Sequence, residues 1–173
     1  MTKDEENELV RLLSKLEPGF LPFDIFVQIA RLTVLSIIEF VPFRINEKGD
    51  IEVLLLYRGD NDPLFPGQLH TPGTVIRPGD NKSNQYKAFS RILDDELKGS
   101  SFGEPQYVGS ILHESNRGPE HAQVYWIESK GDQVVGTWYR IDDLPNNFME
   151  SQQSFVTMAA KNFAEIKSNI INN

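Results

Sequence analysis

The chain predicts a layered α+β fold, and three features of the sequence predict it. Apolar residues recur at helical spacing near both ends and once near the middle. Between those stretches lie β-branched and aromatic runs of strand length, separated by Gly- and Pro-rich turns. The strands do not alternate regularly with helices, so a layered α+β arrangement is favoured over a doubly wound one. At 173 residues, with 39% hydrophobic and 24% charged residues, the chain suits one core and is too apolar for disorder. A single domain over residues 1–173 is expected, with a helical extension at 1–20 ahead of a core at 33–165.

Leu9, Leu12, Leu13 and Leu16 place an amphipathic helix over 2–17, stopped by Pro18-Gly19. Phe26, Ile29 and Ala30 give one side of a short second helix at 23–31. From 33 to 43 the run TVLSIIEFVPF reads as a strand, and IEVLLLYR at 51–58 as its hairpin partner across a charged tip. Residues 61–73 read as loop and 74–77 as a short strand. A helix is expected over 84–98, with Tyr86, Phe89, Leu93 and Leu97 on its apolar stripe. Gly99 then stands where a helix end favours a residue that accepts positive φ. Strands follow at 106–112, 122–128 and 134–141, the first two joined by a polar loop at 114–120. Phe155, Met158, Ala159, Phe163 and Ile166 mark a last amphipathic helix.

Charge narrows the partners. A net −8 gives no bulk attraction for nucleic-acid phosphates or anionic lipid, so neither partner is expected. A small phosphorylated ligand needs only two or three placed Arg or Lys side chains, which this composition allows. With no cysteine, disulfides, thiolate metal sites and thiol catalysis are excluded. The first fifteen residues are charged throughout, unlike a signal peptide, and the most apolar stretch, 32–43, is too short for a bilayer and contains Glu39. A cytoplasmic location is the expectation.

The chemistry concentrates in residues 69–99, LHTPGTVIRPGDNKSNQYKAFSRILDDELKG. At about 100° per residue, Ala88, Ile92, Asp95 and Glu96 share the helix face beside the apolar stripe. Asp95 and Glu96 side by side suit Mg²⁺ or Mn²⁺, hard cations that take oxygen ligands and leave positions for water and phosphate. Acidic residues on a helix are more often simply a solvated face. These two, however, sit near the helix C-terminus, where the macrodipole disfavours them.

This segment resembles the signature of the Nudix hydrolases. Pro72-Gly73 matches its Pro-Gly, with Thr74 in place of the second glycine; Asp80 takes the first acidic position; Arg91, Asp95 and Glu96 match its arginine and closing acidic pair. The resemblance extends from about residue 21 to 163, through the strand ending in Arg58 and the WYRIDDL run at 138–144. Within the family, residues 21–41, the altered signature and the GSILH run ending at His113 are most similar to the GDP-mannose mannosyl hydrolase branch. The resemblance implies a mixed sheet between helices, with the N-terminal helix as an addition. It also implies hydrolysis of a nucleoside diphosphate linked to another group, such as a sugar. Mg²⁺ or Mn²⁺ would be held by Glu96 with Asp95 and the Gly73 carbonyl. Arg58 would hold phosphate, and His113 would assist the leaving group.

Three departures stand against that pattern. Ile92 replaces the first metal-binding glutamate of the helix, the span from Asp80 to Arg91 is three residues longer, and Gln133 stands where that branch has its general-base histidine. A second reading therefore stays open: a nucleotide or nucleotide-sugar binding protein that kept the pocket and lost the chemistry. Other candidates carry plain alternatives. Arg58 reads equally as a surface partner of Asp60 or Asp62. Arg91 reads as the i,i+4 partner of Asp95, orienting the acidic face. Glu39 meets substrate or faces solvent on an edge strand. His70, beside the Pro72-Gly73 turn, is a candidate ligand contact, and the N-terminal helix offers a surface for a homodimer.

Overall fold

The computed structural model of the chain describes residues 1–80, 85–131 and 134–171. Helix α1 (Lys3–Leu13) starts at a capping box. Thr2 Oγ1 accepts from the Glu5 N–H at 3.3 Å, and Glu5 Oε2 accepts from the Thr2 N–H at 2.6 Å. Asp4, Glu5 and Glu6 in the first turn and Arg11 in the last complement the helix dipole. The helix forms as its periodicity predicts, yet it buries no residue, and Leu9, Val10, Leu12 and Leu13 stay exposed. Helix α2 (Phe23–Leu32) does reach the body, burying Ala30 and packing Phe26 against the core.

Strand β1 (Leu35–Ile45) organises the rest. Its side chains alternate between faces, and both faces are covered, which is why the run reads as almost continuously apolar. Leu35, Ile37, Val41 and Phe43 join Phe155, Ala159 and Phe163 on one side; Ile38 and Phe40 join Ala88, Ile92 and Leu97 on the other. Strand β2 (Ile51–Tyr57) pairs antiparallel with β1 from Phe43↔Val53 to Ile45↔Ile51, closing the predicted hairpin. At its tip Asn46 Oδ1 accepts from the Lys48 and Asp50 N–H groups, each at 2.9 Å.

The segment expected as loop, 61–73, contains strand β3 (Leu69–His70), and β4 (Gly73–Val75) begins at its end. Leu69 is fixed by distant backbone: its N–H donates to Asn147 O and its carbonyl accepts from the Met149 N–H, both at 2.9 Å. Helix α3 (Gln85–Arg91) passes into a π-helical turn, Ile92–Glu96, closed by the Leu97 N–H on Ile92 O at 3.0 Å. Gly99, at φ 80, supplies the positive-φ stop. Strands β5 (Gln106–Ser115) and β6 (Gly118–Glu128) replace the expected polar loop at 114–120 with a tight hairpin. Strand β7 (Thr137–Arg140) is shorter than predicted, and a 3₁₀ turn, Glu150–Gln152, leads into α4 (Gln153–Ile171).

The sheet order is β3-β2-β1-β6-β5, with β4 also on β1 and β7 on β2. Strands β1 and β6 run parallel from Leu35↔Glu120 to Phe43↔Glu128, while the other pairs are antiparallel, so the sheet is mixed. Helices α2 and α4 cover one face and α3 the other, the predicted α+β sandwich. Among the described residues no helix is long and apolar enough to cross a membrane.

Candidate functional site

Strand β1 meets β2 only towards its C-terminal end and β4 only at Ile37, Ile38 and Glu39. A cleft of about 460 Å³ opens beside the β4 pairing, lined by Leu35, Ile37 and Glu39 of β1 and by Gly73, Thr74 and Val75 of β4. That volume suits a small-molecule ligand. One end of the cleft is apolar, lined by Phe20, Phe23, Phe26, Ile29 and Ile76. The other gathers Glu39, Arg58, Glu96, His113, Arg117 and Glu120.

Glu39 is buried on the central strand, which settles its alternatives against an exposed edge. Its Oε2 accepts from Thr71 Oγ1 at 2.9 Å and Gln152 Nε2 at 3.3 Å. Burial raises its pKa well above the usual carboxylate range, against the Thr71 hydrogen bond and with help from the nearby Glu96 charge. Gly73 sits directly on this carboxyl: a β-carbon there would lie 2.5 Å from Glu39 Oε1. Glycine is required by close approach. Because Thr71 and Gln152 hold the carboxyl, Gly73→Ala is expected to cost about 1–3 kcal/mol as an overpacked core site. Urea unfolding checks this, and unchanged stability would show that Glu39 can yield.

Glu96 reaches the same glycine, its Oε2 accepting from the Gly73 N–H at 3.0 Å. Burial lifts its pKa to about 7, offset in part by that hydrogen bond and by Arg58. Asp95 does not join it: the residue is exposed and lies outside the cleft lining. The π-helical turn explains the difference. Its i→i+5 bonds advance each residue by less than the α-helical 100° or so. Asp95, three residues after buried Ile92, is left facing solvent, while Glu96, four after it, comes round close to the direction of Ile92.

Of the expected metal ligands, Glu96 and Gly73 meet and Asp95 stays apart. Ile92 is wholly buried in the apolar cluster, Asp95 points outward, and no group of three or more His, Asp or Glu side chains that could hold a metal occurs among the described residues. The other inward carboxylates are already engaged, Glu39 with Thr71 and Gln152, Glu120 with Arg117 and His113. This donor set does not fit a dedicated Mg²⁺ centre.

Arg58 takes the surface pairing and also borders the cleft. Its Nη1 donates to Asp62 Oδ2 at 3.1 Å, the surface pairing expected, and the same side chain lines the cleft. Asp60 instead accepts from the Tyr57 hydroxyl. Arg91 corrects the sequence reading. Its guanidinium grips Asp80 in a bidentate pair, at 3.0 and 2.6 Å, and donates to Val75 O at 3.2 Å, in place of the expected i,i+4 pair with Asp95. The Arg91 hydrogen bond holds Asp80 below its usual pKa. These two residues tie the loop after β4 to α3 and stay off the cleft lining.

His113 lies in β5, with Nε2 3.4 Å from Glu120 Oε2 and its ring edge-to-face with Phe155 at 4.9 Å. His70 is buried, with Nδ1 2.8 Å from Thr71 O, so this nitrogen carries the proton. It lines a recess next to the main cleft, shared with Arg58 and Glu96, and burial lowers its pKa to about 4. Gln133 lies outside the described residues.

Arg117, Glu120, Thr71 and Gln152 escaped the sequence reading. Glu120 had a signal: with Ala122, Val124 and Trp126 it shares the period-2 inward face of β6. Thr71 and Gln152 had none, being 81 positions apart in sequence.

No family model matches the chain, and no curated protein does. Solved structures do. A MutT Nudix hydrolase from Burkholderia pseudomallei is 19% identical, with a TM-score of 0.57 over 73% of this chain and 98% of that one. A MutT/Nudix family protein from Listeria innocua is 14% identical, with a TM-score of 0.57 over 82% and 99%. The Nudix domain of Shewanella oneidensis NrtR, solved with ADP-ribose, is 16% identical, with a TM-score of 0.55 over 94% and 99%.

Proposed function

We propose that this chain, which has the fold of the Nudix hydrolases, binds a nucleoside diphosphate derivative in the cleft at Gly73 as a recognition module, without metal-dependent hydrolysis. One observation carries the reading: the helix that supplies a metal centre in the signature pattern sends Ile92 into the core and Asp95 into solvent, so that of its described acids Glu96 alone borders the cleft. The cleft nevertheless keeps what a nucleotide needs. Arg58 offers a planar donor fork for phosphate, and the phenylalanines from the α1–α2 link and α2 offer apolar surface for a base or sugar face. The NrtR domain solved with ADP-ribose supports a ligand of this class, and its alignment spans 94% of the chain.

The test is paired. Thermal unfolding and calorimetry with ADP-ribose, ADP and a nucleotide-sugar measure binding, and product analysis with Mg²⁺ or Mn²⁺ measures turnover. A ligand at about 100 times its Kd should stabilise the fold by about 2.7 kcal/mol. Stabilisation without product supports the recognition module. Metal-dependent turnover that Glu96→Gln abolishes would replace it with the hydrolase reading, which the inward Glu96 favours. Absence of binding by every phosphorylated probe would sink both.

A further inference from the structure

The tip of the β5–β6 hairpin brings a second arginine to the polar end of the cleft. We propose that Arg117 is the partner arm of Arg58 in a two-guanidinium clamp for a diphosphate, with Glu120 as the buried anion that holds the arm in place. The inference rests on the reading of the cleft as a site for a phosphorylated ligand, and deepens it by naming the group that the polar end grips.

The geometry converges on Phe65. The Arg58 guanidinium carbon lies 5.2 Å from the centroid of this ring and that of Arg117 5.8 Å, so two like charges share one buried aromatic surface. Such a pairing is unfavourable unless each cation is held by an anion of its own. Asp62 holds Arg58 at 3.1 Å, and Glu120 holds Arg117 at 2.7 Å. Glu120 is almost wholly buried, which would be costly without its cation. The hairpin tip is also tied to the loop carrying the ring, since Asn116 Nδ2 donates to Leu64 O at 2.9 Å.

The arms are not saturated by these acids. Each guanidinium presents five N–H donors. Asp62 engages Arg58 through Nη1 and Glu120 engages Arg117 through Nε, which accounts for one nitrogen of each fork. Both side chains line the same cleft. A single carboxylate would leave most of the paired donors empty. A diphosphate, with an anionic phosphoryl group for each fork, matches two arginines that line one cleft around one ring.

Calorimetry with ADP-ribose, ADP and adenosine tests the clamp. Arg117→Gln should weaken ADP-ribose and ADP at least 10-fold, and Arg117→Lys should recover only part of that loss, since a point charge does not replace the fork. Adenosine, which lacks the diphosphate, should bind wild type and variant alike. Because Arg117→Gln strands buried Glu120 and threatens the fold, the double variant Arg117→Gln/Glu120→Gln removes both charges together. It should stay folded and remain equally weak for ADP. A folded double variant with wild-type affinity for ADP and ADP-ribose overturns the clamp while leaving the binding reading intact. A wild-type protein that binds neither probe overturns both.

Discussion

Phe155→Ala is expected to lower stability by about 3–5 kcal/mol, the range for deleting a fully buried phenylalanine. For a chain of this size that corresponds to a fall in Tm of roughly 6–20 °C. Phe155 of α4 is wholly buried in the cluster that holds Phe43, Trp126 and Phe163. It also supports the site. The His113 ring stands edge-to-face on it at 4.9 Å, and His113 in turn touches Glu120. The variant should therefore weaken ligand binding even well below its own unfolding temperature. Phe155→Leu, which keeps most of the volume, should recover the larger share of both losses. Urea unfolding and calorimetry at one low temperature measure the two effects. If Phe155→Ala loses stability but binds normally, the packing link from core to cleft is wrong.

The second large effect is in the pH dependence of stability, where two buried groups act in opposite directions. Glu96 has a folded pKa of about 7, raised by burial, against 4.5 in the unfolded chain. Between those values the folded state keeps a proton that the unfolded state has lost. The contribution of Glu96 is thus fully present below pH 4.5 and is lost as pH rises towards 7, by about 3 kcal/mol at most. His70 has a folded pKa of about 4, lowered by burial, against 6.5 unfolded. Here the unfolded state binds the extra proton, so stability is present above 6.5 and is lost as pH falls towards 4. The two slopes partly cancel in the wild type.

Glu96→Gln separates them, because its amide oxygen can still accept from the Gly73 N–H while its titration is gone. Relative to wild type, the variant should gain stability steadily from pH 4.5 to 7. Urea midpoints across pH 4–8 in phosphate-free buffer give the comparison. A wild-type minus variant difference that stays flat over this range would mean that Glu96 is solvated and not pressed against Gly73.

Much of the fold was legible because local physics wrote it. The α2 stripe, the β1–β2 hairpin, the glycine stop at Gly99 and the final helix all follow from periodicity and turn chemistry, and the structure places them within a few residues. Gly73, Glu39, Arg58, Glu96 and His113 were chosen from sequence and do line one cleft. The misses share a cause. Asp95 and Glu96 look equivalent on an α-helical wheel, and only packing on the sheet side reveals the π-helical turn that divides them. Arg91 could reach Asp95 or Asp80, and the folded loop after β4 brings Asp80 to it.

What the sequence by itself determined is the set of elements, their apolar faces and the short list of residues able to do chemistry. Those depend on neighbours three or four positions away. The tertiary structure alone decided which of these residues meet. Thr71 finds Gln152, and the β5–β6 turn carries Arg117 to the ring that Arg58 already occupies. Such meetings are set by the sheet order and by loop closure over tens of residues, and no local pattern in the chain encodes them.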